Sequence, residues 1–215
     1  MPTLLHISAS ARGADSVSRP VGARLAADLA AAQNLAIRHR DLGRDPPPWP
    51  DADFMEASLA RTEPRGADTH PALALSEALI GELTEAAMIV IDTPMHNFTV
   101  PAVLKAWLDL VLRPGRSFSL GRQGKLGLLA DRPVFAIIAC GGRLARDPAD
   151  TAAQQDFLTP YLRYALGIAG LRHLAVLHLE AVRAPGADLT AIAARADTWI
   201  AAQLAALDRS GRPAV

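Results

Sequence analysis

The chain has 215 residues, of which 50% are hydrophobic, enough to bury a substantial core. Its 22 Lys and Arg residues balance 22 Asp and Glu residues without forming a basic stripe, so we expect no nucleic-acid partner. The chain does not open with a basic segment followed by a long apolar stretch, and no uncharged run approaches the roughly 18 residues that cross a bilayer. We therefore expect a cytoplasmic protein without a membrane partner.

Cysteine and histidine usage excludes two further kinds of site. The one cysteine, Cys140, rules out an intramolecular disulfide framework and agrees with a reducing compartment. The six histidines are scattered and lack the paired spacing of metal ligands, so we expect no metal.

Short apolar segments alternate with segments of helical periodicity along the whole chain. Strands are predicted at residues 3–8, 35–42, 88–92, 133–139 and 173–179, and helices near residues 21–29, 75–83, 103–112, 155–169 and 192–207. The Pro-rich segment 46–50 must run extended, because it can neither donate ladder hydrogen bonds nor continue a helix. Residues 51–70 are predicted to form a helical insertion within a single domain, 1–215.

Strict alternation of strands and helices requires crossover helices on both faces of a parallel sheet. Five strands favour the order 2-1-3-4-5, which places the switch point between the first and third strands. The loops after Ser8 and Asp92 then converge on one crevice at the carboxyl end of the sheet.

The loop after the first strand is rich in hydroxyl groups at the start of a helix. A phosphate would suit the hydroxyls of Ser10, Ser16 and Ser18 and the free N–H groups at the start of the helix. The Arg12 guanidinium could donate a bidentate hydrogen bond to the same phosphate. The alternative is that Ser16 or Ser18 simply caps the helix. Because the loop has no dinucleotide or Walker fingerprint, a single phosphate is favoured.

The loop after the third strand combines polar and apolar groups that suit a planar heterocycle. It contains Pro94, Met95, His96, Asn97 and Phe98. His96 could instead be an ordinary exposed loop histidine, and Phe98 could be a core residue under the next helix.

Ala139, Cys140, Gly141 and Gly142 end the fourth strand. Paired glycines allow backbone N–H groups to approach a ligand closely, although an ordinary turn is the alternative. Cys140 lacks the spacing to a histidine and an acid that would indicate an activated nucleophile.

These motifs together resemble the FMN-dependent NADH:quinone oxidoreductases that also reduce azo dyes, the FMN-dependent NADH-azoreductases. The resemblance covers almost the whole chain. It is carried by the three loops above, residues 104–109, residues 115–118, residues 159–162 and Gly167. Two departures are His96, where the family commonly has Tyr, and Ala139-Cys140, where it commonly has Ser-Arg.

The resemblance implies a flavodoxin-like, three-layer homodimer with FMN at the dimer interface. Ser10, Ser16, Val17 and Ser18 would hold the phosphate, Met95 to Phe98 would line the ring, and residues 139–142 would face its pyrimidine side. Phe118 would contribute to the substrate crevice, or would be a core phenylalanine.

The implied activity is a ping-pong transfer of two electrons from NADH or NADPH to quinones and azo compounds. The flavin carries this chemistry, so no catalytic acid, base or nucleophile is expected among the side chains. Two alternatives are a single-electron carrier that acts with protein partners, and an interaction module that has lost FMN. The neutral charge and the extra helical and Pro-rich segments favour the enzyme.

Overall fold

The computed structural model describes residues 1–60, 68–122, 124–147 and 149–210. The strands are β1 (Thr3–Ser8), β2 (Ala36–Asp41), β3 (Ala86–Pro94), β4 (Phe118–Gly121), β5 (Gly124–Gly127), β6 (Val134–Ala139) and β7 (Leu174–Leu179). The helices are α1 (Ser18–Gln33), α2 (Ala52–Leu59), α3 (Ala74–Glu85), α4 (Ala102–Val111), α5 (Leu158–Ala169) and α6 (Leu189–Ser210).

Five parallel strands form the central sheet in the order β2-β1-β3-β6-β7. This confirms the predicted parallel α/β sheet and its switch point between β1 and β3. The order differs from the predicted 2-1-3-4-5 in its numbering, because the antiparallel hairpin β4-β5 precedes the last two strands of the sheet. The hairpin escaped prediction because its short strands contain Gly121, Gly124 and Gly127 and lack an extended apolar alternation.

Side chains of the central strands alternate between two buried faces, as expected for a parallel sheet covered on both sides. Leu4 and Val90 pack in the core beneath α1 and α6, whereas Leu5 and Ile89 pack in the core beneath α3, α4 and α5. Both faces are therefore covered by helices, and this leaves the ends of the strands as the natural place for a ligand.

The strand register brings the three sequence-predicted loops side by side. Ser8 pairs with Asp92 across β1 and β3, and Pro94 pairs with Ala139 across β3 and β6. The ladder continues beyond the strands through the Met95 N–H, which donates to the Ala139 carbonyl at 2.8 Å. Each loop consequently starts from a backbone position fixed by its neighbour.

The predicted helical insertion at 51–70 falls partly outside the described residues, which leave out 61–67. Within it, α2 begins after Asp51, whose side chain accepts a hydrogen bond from the Phe54 N–H at 2.8 Å. The single-domain organisation of 1–215 stays a prediction.

Helix α1 packs unusually closely on the end of β3. A Cβ atom added to Gly22 would lie 2.6 Å from the Asp92 Cβ and 2.9 Å from its Oδ2. Asp92 is fully buried, so it cannot move aside cheaply. Only glycine lets the helix lie at this distance.

Two glycine-to-alanine substitutions should therefore have opposite effects on the free energy of unfolding. We expect Gly22→Ala to destabilise the protein by about 1–3 kcal/mol through overpacking. Gly81→Ala in α3 adds a Cβ with nothing within 4 Å and should stabilise it by about 0.5–1 kcal/mol through helix propensity. Urea unfolding of both variants checks the pair, and a stabilised Gly22→Ala would contradict the close packing on Asp92.

Candidate functional site

A cleft of about 410 Å³ lies at the carboxyl ends of the central strands. Its volume falls in the range of small-molecule sites, about 300–1,000 Å³. The residues that line it come from four loops: Ser10, Arg12, Asp15, Ser16, Val17, Ser18, Pro94, Met95, His96, Ala139, Gly141, Val182, Arg183 and Leu189. Ten of them belong to the sequence-predicted set.

The first loop offers hydroxyl and backbone donors at one end of the cleft. Ser10, Ser16 and Ser18 are all buried, and the Ser16 and Ser18 hydroxyl oxygens lie 3.3 Å apart. The Ser16 hydroxyl accepts from the Arg19 N–H at 3.3 Å, so the capping alternative is realised at Ser16. Within the described part of the chain, nothing accepts from the N–H groups of Val17 and Ser18. The start of α1 is therefore a ready donor site for an anion.

An ion pair holds this loop in place. Arg19 donates to both carboxylate oxygens of Asp41, at 2.5 and 2.7 Å, and to the Ser10 carbonyl oxygen at 2.6 and 3.1 Å. The hydrogen bond from Arg19 is the largest cause that keeps the pKa of Asp41 below its usual range. A Cβ on Gly43 would lie 2.2 Å from the Ser10 carbonyl oxygen, so glycine is required there. The predicted phosphate loop is thus clamped from α1 and from the end of β2.

A buried polar network supports the same loop from below. The Asp92 carboxylate oxygen Oδ2 accepts from the Ser8 hydroxyl at 2.6 Å and lies 2.7 Å from the His6 Nε2. Ser8 bonds the carboxylate rather than the imidazole, so these side chains do not form a nucleophilic triad. The network anchors the ends of β1 and β3.

The second loop turns sharply at the cleft edge. Pro94, Met95 and His96 line the cleft, whereas Asn97 and Phe98 do not. Asn97 and Phe98 have φ values of +46° and +72°, a left-handed conformation that is uncommon for a phenylalanine. Phe98 is 50% exposed, which contradicts the alternative of a core residue.

The third loop contributes peptide donors. Ala139 and Gly141 line the cleft, and no acceptor in the described chain bonds the N–H groups of Gly141 and Gly142. Cys140 is fully buried, and burial raises the pKa of its thiol to about 12, helped by the charges of Asp156 and Glu180. A protonated, buried thiol agrees with the prediction that Cys140 is not a nucleophile.

Sequence reasoning missed the fourth loop, which follows β7. Val182, Arg183 and Leu189 line the cleft. The available signal was topological: β7 is parallel to β6 in the same sheet, so the chain after it must also emerge at the carboxyl edge. Asp15, within the predicted first loop, was missed as well.

Gln154 was also missed, although it connects two predicted loops. Its amide nitrogen donates to the Met95 sulfur at 3.3 Å. Its Oε1 lies 3.1 Å from the position of a Cβ on Gly142. No sequence signal marks it, because it lies in an irregular segment.

Phe118 lies away from this cleft. It is buried and lines a separate cleft of about 530 Å³ together with Pro50 and Phe54. Its place in a substrate crevice stays a prediction.

The described ranges also bear on two other kinds of site. They contain no cluster of His, Cys, Asp and Glu side chains that could hold a metal ion. They also contain no helix long and apolar enough to cross a membrane.

The cleft as a whole can hold a ligand with an anionic group at one end and a flat polar ring at the other. The start of α1 can receive the anion, and Gly141, whose N–H has no acceptor among the described residues, lies at the opposite end. Met95 and Ala139 supply apolar surface between them.

Comparisons with known proteins identify the family. A family model described as a flavodoxin-like fold matches residues 2–202. The FMN-dependent NADH:quinone oxidoreductase 2 of Cupriavidus pinatubonensis is 47% identical, over 89% of this chain and 91% of its own. The FMN-dependent NADH:quinone oxidoreductase 5 of Burkholderia lata is 44% identical, over 89% of this chain and 91% of its own.

A solved structure agrees with the flavodoxin-like fold. An FMN-dependent NADH-azoreductase from Bacillus anthracis, in complex with FMN, has a TM-score of 0.76 and 22% identity, and covers 96% of this chain and 99% of its own. At that identity the likeness concerns the fold. The family resemblance is confirmed: this chain has the flavodoxin-like fold and belongs to the family of the FMN-dependent NADH:quinone oxidoreductases.

Proposed function

We propose that the chain binds FMN in the cleft of about 410 Å³ and passes two electrons from NADH or NADPH to quinones and azo compounds. The observation that carries the proposal is one cleft with a helix start at one end and a glycine peptide N–H at the other, neither of which has an acceptor among the described residues. The names of the relatives, FMN-dependent NADH:quinone oxidoreductases, support the same cofactor, donor and acceptor class.

The first loop holds the phosphate of FMN in this proposal. The hydroxyls of Ser10, Ser16 and Ser18 and the N–H groups of Val17 and Ser18 donate to its oxygens. These groups stabilise the negative charge together with the dipole of α1. The clamp on the Ser10 carbonyl keeps them oriented before the ligand arrives.

The second and third loops hold the ring. Pro94, Met95 and His96 form one wall, and Ala139 with the Gly141 N–H forms the other. Asn97, Phe98, Cys140 and Gly142 flank these residues without lining the cleft of one protomer, and their contact with FMN stays a prediction. Bound FMN supplies the two-electron chemistry. The chain orients the ring, excludes water with Met95 and Ala139, and offers peptide donors to its polar edge.

Donor and acceptor use the same open side of the ring in turn, which gives ping-pong kinetics. This proposal is tested by anaerobic rapid mixing of the FMN-loaded protein. We expect NADH to bleach the yellow colour in one step, and a quinone to restore it in one two-electron step in a second mixing.

Two results would count against this function. A colourless protein that does not take up added FMN would show that FMN is not its cofactor. Reoxidation in separate one-electron steps would favour an electron carrier instead.

The phosphate site is tested by a charge placed in the first loop. Ser16→Asp puts a carboxylate where the phosphate binds, and like charges about 4 Å apart near a protein surface repel by about 4 kcal/mol. We expect the FMN affinity of the apo-protein, measured by flavin fluorescence quenching, to fall on the order of a hundredfold or more. The affinity for riboflavin, which has no phosphate, should fall much less.

The matched control is Ala201→Asp, which adds the same charge on the exposed face of α6. It should leave both affinities unchanged. If Ser16→Asp lowered the affinities for FMN and riboflavin equally, the first loop would not be the site that binds the phosphate.

We further propose that a second copy of the chain covers the open side of the cleft. Phe98 and Phe157 are 50% and 59% exposed, and the Phe157 N–H donates to the Phe98 carbonyl at 3.0 Å, so the two rings belong to one surface. Adjacent exposed aromatic residues beside a ligand cleft are typical of a protein interface. The homodimer therefore places its interface next to the ring site.

A charged residue in this surface should separate the protomers. We expect Phe157→Asp to shift the mass measured by light scattering from dimer to monomer and to weaken FMN binding by about tenfold or more, because an interface carboxylate would be desolvated. Ala201→Asp serves as control and should remain dimeric. A monomeric parent protein that binds FMN tightly would contradict the proposed interface.

A further inference from the structure

Arg183 is fixed beside the glycine end of the cleft. Its N–H donates to the Gly141 carbonyl oxygen at 3.1 Å, and the preceding N–H, of Val182, donates to the Cys140 carbonyl oxygen at 3.1 Å. The Arg183 Cβ and Cγ lie 3.8 Å from the position of a Cβ on Gly141. The base of this side chain is therefore packed against the third loop, while the residue as a whole is exposed and lines the cleft.

Charge is distributed unevenly along the cleft. Of the described side chains that line it, three carry a permanent charge at neutral pH, namely Arg12, Asp15 and Arg183. Arg12 and Asp15 lie on the first loop, at the phosphate end. Among the lining side chains at the glycine end, Arg183 is the charged one; Asp156 and Glu180, whose charges help to raise the pKa of the buried Cys140 thiol to about 12, do not line the cleft.

Arg183 is also not committed to an ion pair within the described residues. Two arginines of a neighbouring cleft differ in this respect. Arg143 pairs with Asp150 at 2.8 Å, and Arg146 pairs with Glu180 at 2.5 Å. No described carboxylate lies within ion-pair distance of Arg183, so its charge remains available to a ligand.

The charge of a flavin ring changes with its oxidation state. Uptake of two electrons and one proton converts the neutral oxidised ring into a ring with one negative charge, and the electrons come from the nicotinamide donor of the proposed reaction. A nearby fixed cation stabilises the reduced form more than the oxidised form, and charge beside the ring is one of the means by which a protein tunes its cofactor.

We infer that Arg183 sets the midpoint potential of the bound flavin, by favouring the reduced, negatively charged ring over the oxidised ring. This inference rests on the proposed FMN function. It assigns to the loop after β7 a role in electron transfer rather than in holding the phosphate.

The test measures the two-electron midpoint potential of the FMN-loaded protein by equilibration with redox dyes. Arg183→Gln removes the charge from an exposed side chain and should leave the unfolding midpoint unchanged. We expect about a tenfold loss of preference for the reduced form, which lowers the potential by about 30 mV. Arg183→Lys, which keeps a cation, should retain most of the parent value.

Arg146→Gln is the matched control. Arg146 lies in a neighbouring cleft with Arg143, His178 and Glu180, and its charge is paired. We expect the potential of this variant to equal that of the parent protein.

Affinities of the apo-protein for FMN and riboflavin separate this role from phosphate binding. Arg183→Gln should change the two affinities for the oxidised ligands equally and little. An unchanged potential, an equal shift in Arg146→Gln, or a selective loss of FMN over riboflavin would each overturn the inference. A parent protein that does not bind FMN would instead refute the proposed function on which it rests.

Discussion

Every feature of the site depends on the alignment of the ends of β1, β3 and β6. Asp92 fixes this alignment where β1 and β3 end. Its carboxylate accepts from the Ser8 hydroxyl, its carbonyl accepts from the Ala9 N–H at 2.9 Å, and its side chain packs against Gly22 of α1. A buried, hydrogen-bonded carboxylate thus ties two strands and the following helix into one rigid corner, from which the first and second loops emerge.

The two ends of the cleft use different physical means to bind. At the start of α1, neutral hydroxyls and peptide N–H groups collect on a helix dipole and suit an anion. At the ends of β6 and β7, peptide N–H groups of glycines and the Arg183 guanidinium, which has no ion pair within the described residues, suit a ring whose charge changes during turnover. Between them Met95 and Ala139 supply apolar wall surface. Such a site needs no catalytic acid or base, because the reactivity comes from the cofactor and the chain supplies position and field.

Local pattern was sufficient to predict the alternating strands and helices and the first three loops, because each strand is a short apolar run and each loop is a break in periodicity. Local pattern did not predict the β4-β5 hairpin, because its short strands contain glycines and lack an extended apolar alternation. The contributions of Arg183 and Gln154 depend on contacts between segments distant in the chain. The clamp of Arg19 on Asp41 is of the same kind: two separate segments, α1 and β2, must be brought together before either charge has a partner. Local pattern also could not show that Asn97 and Phe98 adopt a left-handed backbone conformation and do not line the cleft.

The central claim is that one mononucleotide lies across the ends of β1, β3 and β6, with its phosphate at α1. A crystal structure of the protein with FMN tests it most directly. The account predicts phosphate oxygens within hydrogen-bond distance of the Val17 and Ser18 N–H groups, and the ring between Met95 and Gly141. A ring at the start of α1, or FMN bound outside this cleft, would contradict it.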